Sequence, residues 1–437
     1  MKIAYITAGA AGMYCGTCMH DNTLAAALME RGHEVSLIPT YTPMRTDETN
    51  VAQEKIFFGA LNVYLQQKGI LRKSRFLDKL LDSKRVLTWV GKLSGKASTD
   101  AADLGDLTLS MIQGEAGHQA RELEKLIDFM EEHLQPEIVH LSTTLFAGFA
   151  KRIKERLGVP VVCSLQGEDL FFEDLTEPWK SRVLSEITRR AEDIDAFTSP
   201  CDYYSRLMSE NYGVPLERTF RGRLGIQADE FQDVVERDAD RHPVLGYLAR
   251  QAPEKGLHHL VDAFLILAQE HPGLRLRVAG FLGPKDEAFV ARQKAKLEQA
   301  GMMPRVDWVG EIDRGGKVDF LRSVDIFSVP TVYREPKGLF VPEALASGLP
   351  VILPDHGAFP EWVRHTGGGL LVKPESPRAV AAAVAELLGD PERRRALGAQ
   401  GREAVLRDFN QHAMADEMLD LYERILSGEV RARPAAA

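Results

Sequence analysis

At 437 residues the chain is too long for one ordinary hydrophobic core, so two domains are expected. Its 44% hydrophobic and 27% charged residues are ordinary for a globular protein, and 54 basic against 63 acidic residues give a net charge of −9, which argues against a general nucleic-acid binder. No apolar run reaches the roughly 18 residues that a membrane-spanning helix needs, and four cysteines are too few for a disulfide framework, so a reducing, cytoplasmic setting is expected.

The opening KIAYIT reads as a first buried strand rather than a signal peptide, because its apolar run is short and ends in a glycine loop feeding an amphipathic helix. Further strands are predicted at EVSLIPT, EIVHLS, PVVCSL, DAFTSP and RTFRGRLGI. Helical patterns such as DNTLAAALMERGH and LFAGFAKRIKERLG lie between, the latter stopping at a glycine. Strand and helix alternation of this kind predicts a parallel sheet covered on both faces.

Residues 41–116 interrupt the rhythm with helical periodicity of their own. Between Lys68 and Arg85 seven basic residues stand against Asp78 and Asp82. That segment reads either as a solvated helical face or as an acceptor-binding or weak membrane-surface element. The charged stretch ADEFQDVVERDADRHP, 228–243, reads as an interdomain linker. Alternation restarts with PVLGYLA, LRLRVAG, RVDWVG, DIFSVP, PVILPD and GGLLVK. The predicted architecture is α/β, with two tandem doubly wound parallel-sheet (Rossmann-like) domains facing across a cleft. Their boundaries are 1–235 and 236–410, then a helix over 411–428 crossing back to the first domain and a disordered tail, 429–437. Ligands in such folds sit beyond the carboxyl ends of the strands.

One such end carries TVYREPKGLFVPEALASGLPVILPD, in which Glu335 and Glu343 bracket a glycine and an apolar run. Pro342 and Glu343 read as the first turn of a short helix stopped at Gly348, whose start suits an anion such as a diphosphate. Carboxylates beside a phosphate site need other partners, and vicinal hydroxyls fit them. A molecule with hydroxyls at both ends and phosphates between has the shape of a nucleotide-sugar. The alternative is one helix-start glutamate and one surface glutamate with no shared task. Arg250 and Lys255, between a predicted strand and helix, could neutralise a leaving diphosphate. The loop TAGAAGMYCGTCMHDN has Gly9, Gly12 and Gly16, a spacing that does not match a dinucleotide fingerprint.

Together these residues resemble the retaining glycosyltransferases of the two-domain GT-B fold, the group that includes glycogen synthase and bacterial mannosyltransferases. The E-x7-E signature is matched by Glu335 and Glu343, and the family's diphosphate-binding pair by Arg250 and Lys255. Gly357-Ala358-Phe359-Pro360-Glu361 stands at its G-G-x-P-E. In its N-G-V-D-x-x-x-F, Gly225 and Phe231 are kept while Leu224 replaces Asn. The resemblance implies that Glu343 holds the donor ribose and Glu335 the sugar hydroxyls. Gly16 and the backbone of Gly338, Leu339 and Phe340 would meet the donor. It also implies no metal and no cofactor beyond the nucleotide-sugar, and a closing of the two domains over the site. Two departures stand out. The family's glycine pair after the first strand is Cys15-Gly16 here, and its T-x-H-G reads Ser164-Leu165-Gln166-Gly167. Gln166 thus takes the place of a sugar-contacting histidine and cannot carry charge. His140 matches the family's V-V-H and also reads as a buried structural histidine.

All four cysteines, Cys15, Cys18, Cys163 and Cys201, fall in the first domain, with His20 near the C-x-x-C. They read as small packed residues or as a thiolate metal or redox site. The expected activity is transfer of a hexose, from UDP-glucose first and GDP-mannose second, to a saccharide or other alcohol. A sugar-nucleotide epimerase and a noncatalytic sugar-nucleotide sensor are the alternatives. Acceptor and oligomeric state are not legible.

Overall fold

The computed structural model of the protein describes residues 1–9, 16–59, 104–231 and 241–430. The basic stretch 68–85, most of the linker and most of the tail lie outside the described residues. The chain forms two compact units, one of Met1–Arg223 with Met414–Ala437, the other of Leu224–Ala413.

The first unit is built on a six-stranded sheet of β1 (Lys2–Ala8), β2 (Glu34–Thr40), β3 (Ile138–Leu141), β4 (Val161–Ser164), β5 (Ala196–Ser199) and β6 (Thr219–Arg221). Every pairing is parallel, in the order β2-β1-β3-β4-β5-β6. The middle strands are buried along their whole length, as expected for a sheet covered on both faces, and so read as unbroken apolar runs. Helix Gly16–Glu30 covers β1 and β2. Its Leu24 and Leu28 pack with Ile3, Tyr5 and Leu37. The last helix, Gln411–Leu426, adds Met414, Met418 and Tyr422 to that same core. Each such side chain contributes roughly 1.5–3 kcal/mol by leaving water.

The second unit repeats the plan with β7 (Val244–Leu248), β8 (Arg275–Ala279), β9 (Val306–Gly310), β10 (Ile326–Ser328), β11 (Val351–Pro354) and β12 (Gly369–Val372). Its order is β12-β11-β10-β7-β8-β9, again all parallel. Both sheets reverse direction of strand addition once, between β1 and β3 in the first and between β7 and β10 in the second. Chain leaving two such neighbours diverges to opposite faces and opens a crevice at their carboxyl ends.

Candidate active site

In the second unit the crevice between β7 and β10 is where the expected residues meet. The chain leaving β7 carries Arg250 and Lys255; the chain leaving β10 carries Tyr333 and Glu335. Gly256 makes their approach possible. Its φ is +72°, and a Cβ there would fall 1.7 Å from the Pro330 carbonyl oxygen. Beside it the Val332 N–H donates to the Glu254 carbonyl at 2.9 Å, joining the two loops. Lys255 Nζ is thereby held 2.5 Å from Glu335 Oε2 and 2.9 Å from the Tyr333 hydroxyl. That hydroxyl in turn donates to the same Oε2 at 2.5 Å. Glu335 is 5% exposed. Burial pushes its carboxyl up, but Lys255, Tyr333 and the Gly338 N–H outweigh it and hold the group below the usual carboxylate range.

Gly338, at φ +66°, turns the chain into helix Phe340–Ala346, which starts two residues before the expected Pro342 and is buried throughout. Leu339 stands at its N-terminal cap position. Glu343 lies in the first turn, and its Oε1 is 2.7 Å from Nζ of Lys317, on helix Arg314–Arg322. The loop is pinned from behind. Trp362 Nε1 donates to the Lys337 carbonyl at 2.9 Å, and the Ala358 N–H donates to the Glu335 carbonyl at 2.9 Å. The two acids therefore stand at either side of one rigid turn, each against a lysine. Arg250 pairs with Glu254 and has Asp286 at 3.8 Å, with about a third of its side chain exposed. Burial pushes the Asp286 carboxyl up, against the pull of Arg250.

The first unit brings together a separate polar cluster at its own reversal point. Gly16 begins helix Gly16–Glu30, and Asp21 of that helix accepts from Tyr5 at 2.9 Å and Thr7 at 2.5 Å. Gln166, following β4, donates through Nε2 to Asp21 Oδ1 at 2.7 Å and to the Ser142 carbonyl at 3.1 Å. Its amide hydrogens thus tie the first helix to the end of β3. His140 is fully buried, bonded to the Tyr422 hydroxyl at 2.5 Å and to Ser164 at 2.7 Å. Burial and His20 push its pKa down to about 3, so the ring is neutral.

The thiols of this unit serve local bonds. Cys18 donates to the Ala8 carbonyl at 2.9 Å, and Cys201 accepts the Tyr204 N–H at 3.4 Å as the cap of helix Asp202–Tyr212. Burial pushes the Cys163 thiol well up, away from thiolate chemistry. Cys15 lies outside the described residues, among which no group of three or more His, Cys, Asp or Glu is arranged to hold a metal ion.

Two parallel Rossmann-like units of six strands each have the architecture of the GT-B fold. The fold is shared with sucrose-phosphate synthase from Thermosynechococcus elongatus, at a TM-score of 0.70 and 20% identity over 98% of this chain and 99% of that one. It is shared equally with HepE from Anabaena, solved in complex with UDP, at 0.68 and 16% over 97% and 100%. The family matches are more particular. Residues 22–221 match the Glycosyl transferase 4-like domain and residues 229–404 match Glycosyl transferases group 1, so both halves of the chain match glycosyltransferase families.

Among its relatives, a glycogen synthase of Mycobacterium tuberculosis is 25% identical over 305 residues, 69% of this chain and 72% of its own. A D-inositol 3-phosphate glycosyltransferase of Thermobispora bispora is 29% identical over 357 residues, 77% of this chain and 80% of its own. A GDP-mannose-dependent phosphatidylinositol monomannoside mannosyltransferase of M. tuberculosis is 32% identical over 210 residues, 45% of this chain and 53% of its own.

Sequence reasoning missed Lys317, Tyr333 and Asp21. Each acts through a partner distant in the chain or through a single hydroxyl, and none stands in a spacing that marks it.

Proposed function

We propose that the protein moves a hexose from a nucleotide diphosphate-sugar to a saccharide or other alcohol acceptor, with retention at the anomeric carbon and without a metal. The observation that carries this reading is the pair of buried acids, Glu335 and Glu343, each against its own lysine on either side of one buried turn. An ionised carboxylate accepts two hydroxyls at once, so Glu343 suits the vicinal hydroxyls of a ribose and Glu335 those of the transferred sugar. Lys255 and Arg250, with the backbone of Gly338, Leu339 and Phe340, suit the diphosphate between them.

Cleavage of the anomeric C–O bond leaves both electrons on the phosphate oxygen, giving an oxocarbenium-like sugar and a nucleoside diphosphate with one more negative charge than it carried in the donor, which Lys255 and Arg250 stabilise. The departing phosphate oxygen takes the proton of the acceptor hydroxyl as that oxygen bonds to the anomeric carbon. UDP-glucose is the first donor proposed. GDP-mannose is the second, and a GDP-mannose-dependent relative supports its inclusion.

Proton NMR of UDP-glucose and GDP-mannose, incubated with the enzyme and a panel of glycans and polyols, tests the proposal. Loss of one donor with a new α-linked product is expected, together with a fall of roughly 100-fold or more in Glu335→Gln. Donor that stays intact with every acceptor, or a β-linked product, contradicts it.

A further inference from the structure

Glu335 and Lys255 neutralise each other in the structure, and in the proposed reaction both have other work. A diphosphate draws Lys255 away. Glu335, 5% exposed, would then be a buried anion that has lost its cation. One side chain touches both members of the pair. The Tyr333 hydroxyl donates its single proton to Glu335 Oε2 at 2.5 Å and accepts from Lys255 Nζ at 2.9 Å.

The ammonium is 4.8 Å from the centroid of the Tyr333 ring, against 2.9 Å from its oxygen. It therefore meets the hydroxyl end of the side chain, and the hydroxyl rather than the ring face carries the contact. Tyr333 is two residues from Glu335 on the same loop. Its neighbour Thr331 is anchored by a bond from its hydroxyl to the Tyr333 carbonyl at 3.0 Å, and Val332 by its bond to Glu254. The ring thus leaves a segment fixed to both strands' loops.

We infer that Tyr333 is a positioning residue for the transferred sugar: its hydroxyl keeps Glu335 oriented when the donor diphosphate takes Lys255. This rests on the donor-site reading above. Tyr333 then acts on the hexose and hardly on the nucleotide, since the hydroxyl's proton goes to the sugar-binding acid. Substituting Phe keeps the ring and removes only the proton and its oxygen.

The test is calorimetric titration of wild type, Tyr333→Phe, Glu335→Gln and the double variant with two probe pairs, UDP with UDP-glucose and GDP with GDP-mannose. Within the pair that binds, Tyr333→Phe is expected to hold the bare diphosphate within about threefold of wild type while losing roughly 10-fold or more for the sugar nucleotide. Retained diphosphate binding shows that the variant is folded. The double variant is expected to lose no more than Glu335→Gln alone, because the hydroxyl acts through that carboxylate. An unchanged ratio in Tyr333→Phe overturns the inference. So do additive losses in the double variant, or a wild type that holds sugar nucleotide and bare diphosphate equally. A wild type that binds none of the four probes overturns the donor-site reading itself, and the two failures are told apart.

Discussion

Lys317 Nζ sits 2.7 Å from Glu343 Oε1, and each of the two side chains is only 9% exposed. Two charges are rarely buried for stability alone, since desolvation offsets most of their attraction. Removing one partner is a different matter, because it strands the other. Lys317→Met is expected to cost about 3–5 kcal/mol in urea denaturation. Lys317→Met with Glu343→Leu is expected to recover most of that loss and still to bind no nucleotide. Recovered stability with intact nucleotide binding would remove Glu343 from the ribose.

Gly256 joins the two loops of the site, and nothing larger fits there. Gly256→Ala forces a non-glycine residue to φ +72° and drives its Cβ against the Pro330 carbonyl. Left-handed strain alone costs about 1–3 kcal/mol, and the clash adds to it. The variant is expected to lose stability by at least that amount and to bind donor poorly, as Lys255 moves from Glu335. Wild-type stability would show that the loops are not joined at this residue.

The charge on Glu335 gives a pH signature. Its folded carboxyl is held low, so its contribution is present above the unfolded value of about 4.3 and is lost as pH falls through the folded value. In Lys255→Met, burial is no longer opposed by the lysine, and Glu335 takes up a proton at higher pH. The stability gap between wild type and Lys255→Met is therefore expected to narrow as pH is lowered from 7 to 4. A gap that is constant over this range would mean that Lys255 does not hold Glu335 ionised.

Asp169 behaves in the opposite sense. Burial raises its carboxyl to about 6, against the bond from Tyr204 and with a further push from Glu168. The folded state then binds more protons than the unfolded chain between about 4 and 6, so this group costs stability as pH rises through that window. Asp169→Asn is expected to be more stable than wild type above pH 6, by one to about 3 kcal/mol, and to lose the advantage below pH 4. Equal stability of the two proteins at pH 8 would contradict it.

The strands were legible because strands buried on both faces leave apolar runs such as VVCS and VLGYL, bounded by turns. β6 was the poorest case: the run RTFRGRLGI yields only Thr219–Arg221, since a charged edge strand carries little pattern. The short helix was legible from Glu343 and Gly348 but begins at Phe340, because Gly338 already turns the chain. Lys255 and Glu335 could be read as site residues since both follow strand ends. Their ion pair could not, because it depends on which strands are neighbours, and β7 and β10 are far apart in sequence. Lys317 is 26 residues from Glu343 on another helix, and no spacing announces it. The amide of Gln166 was readable as a change from histidine, but its bonds to Asp21 and Ser142 follow from packing alone.

The measurement that bears most directly on the central claim is a thermal-shift panel of UDP, GDP, ADP and their sugars on wild type and Glu343→Ala. A ligand at about 100 times its dissociation constant adds about 2.7 kcal/mol to the folded state by mass action. The expected result is that one nucleotide series stabilises wild type and leaves Glu343→Ala unmoved, which would also name the base. No shift in wild type with any nucleotide at millimolar concentration, or the same shift in both proteins, would contradict a donor site built on Glu343.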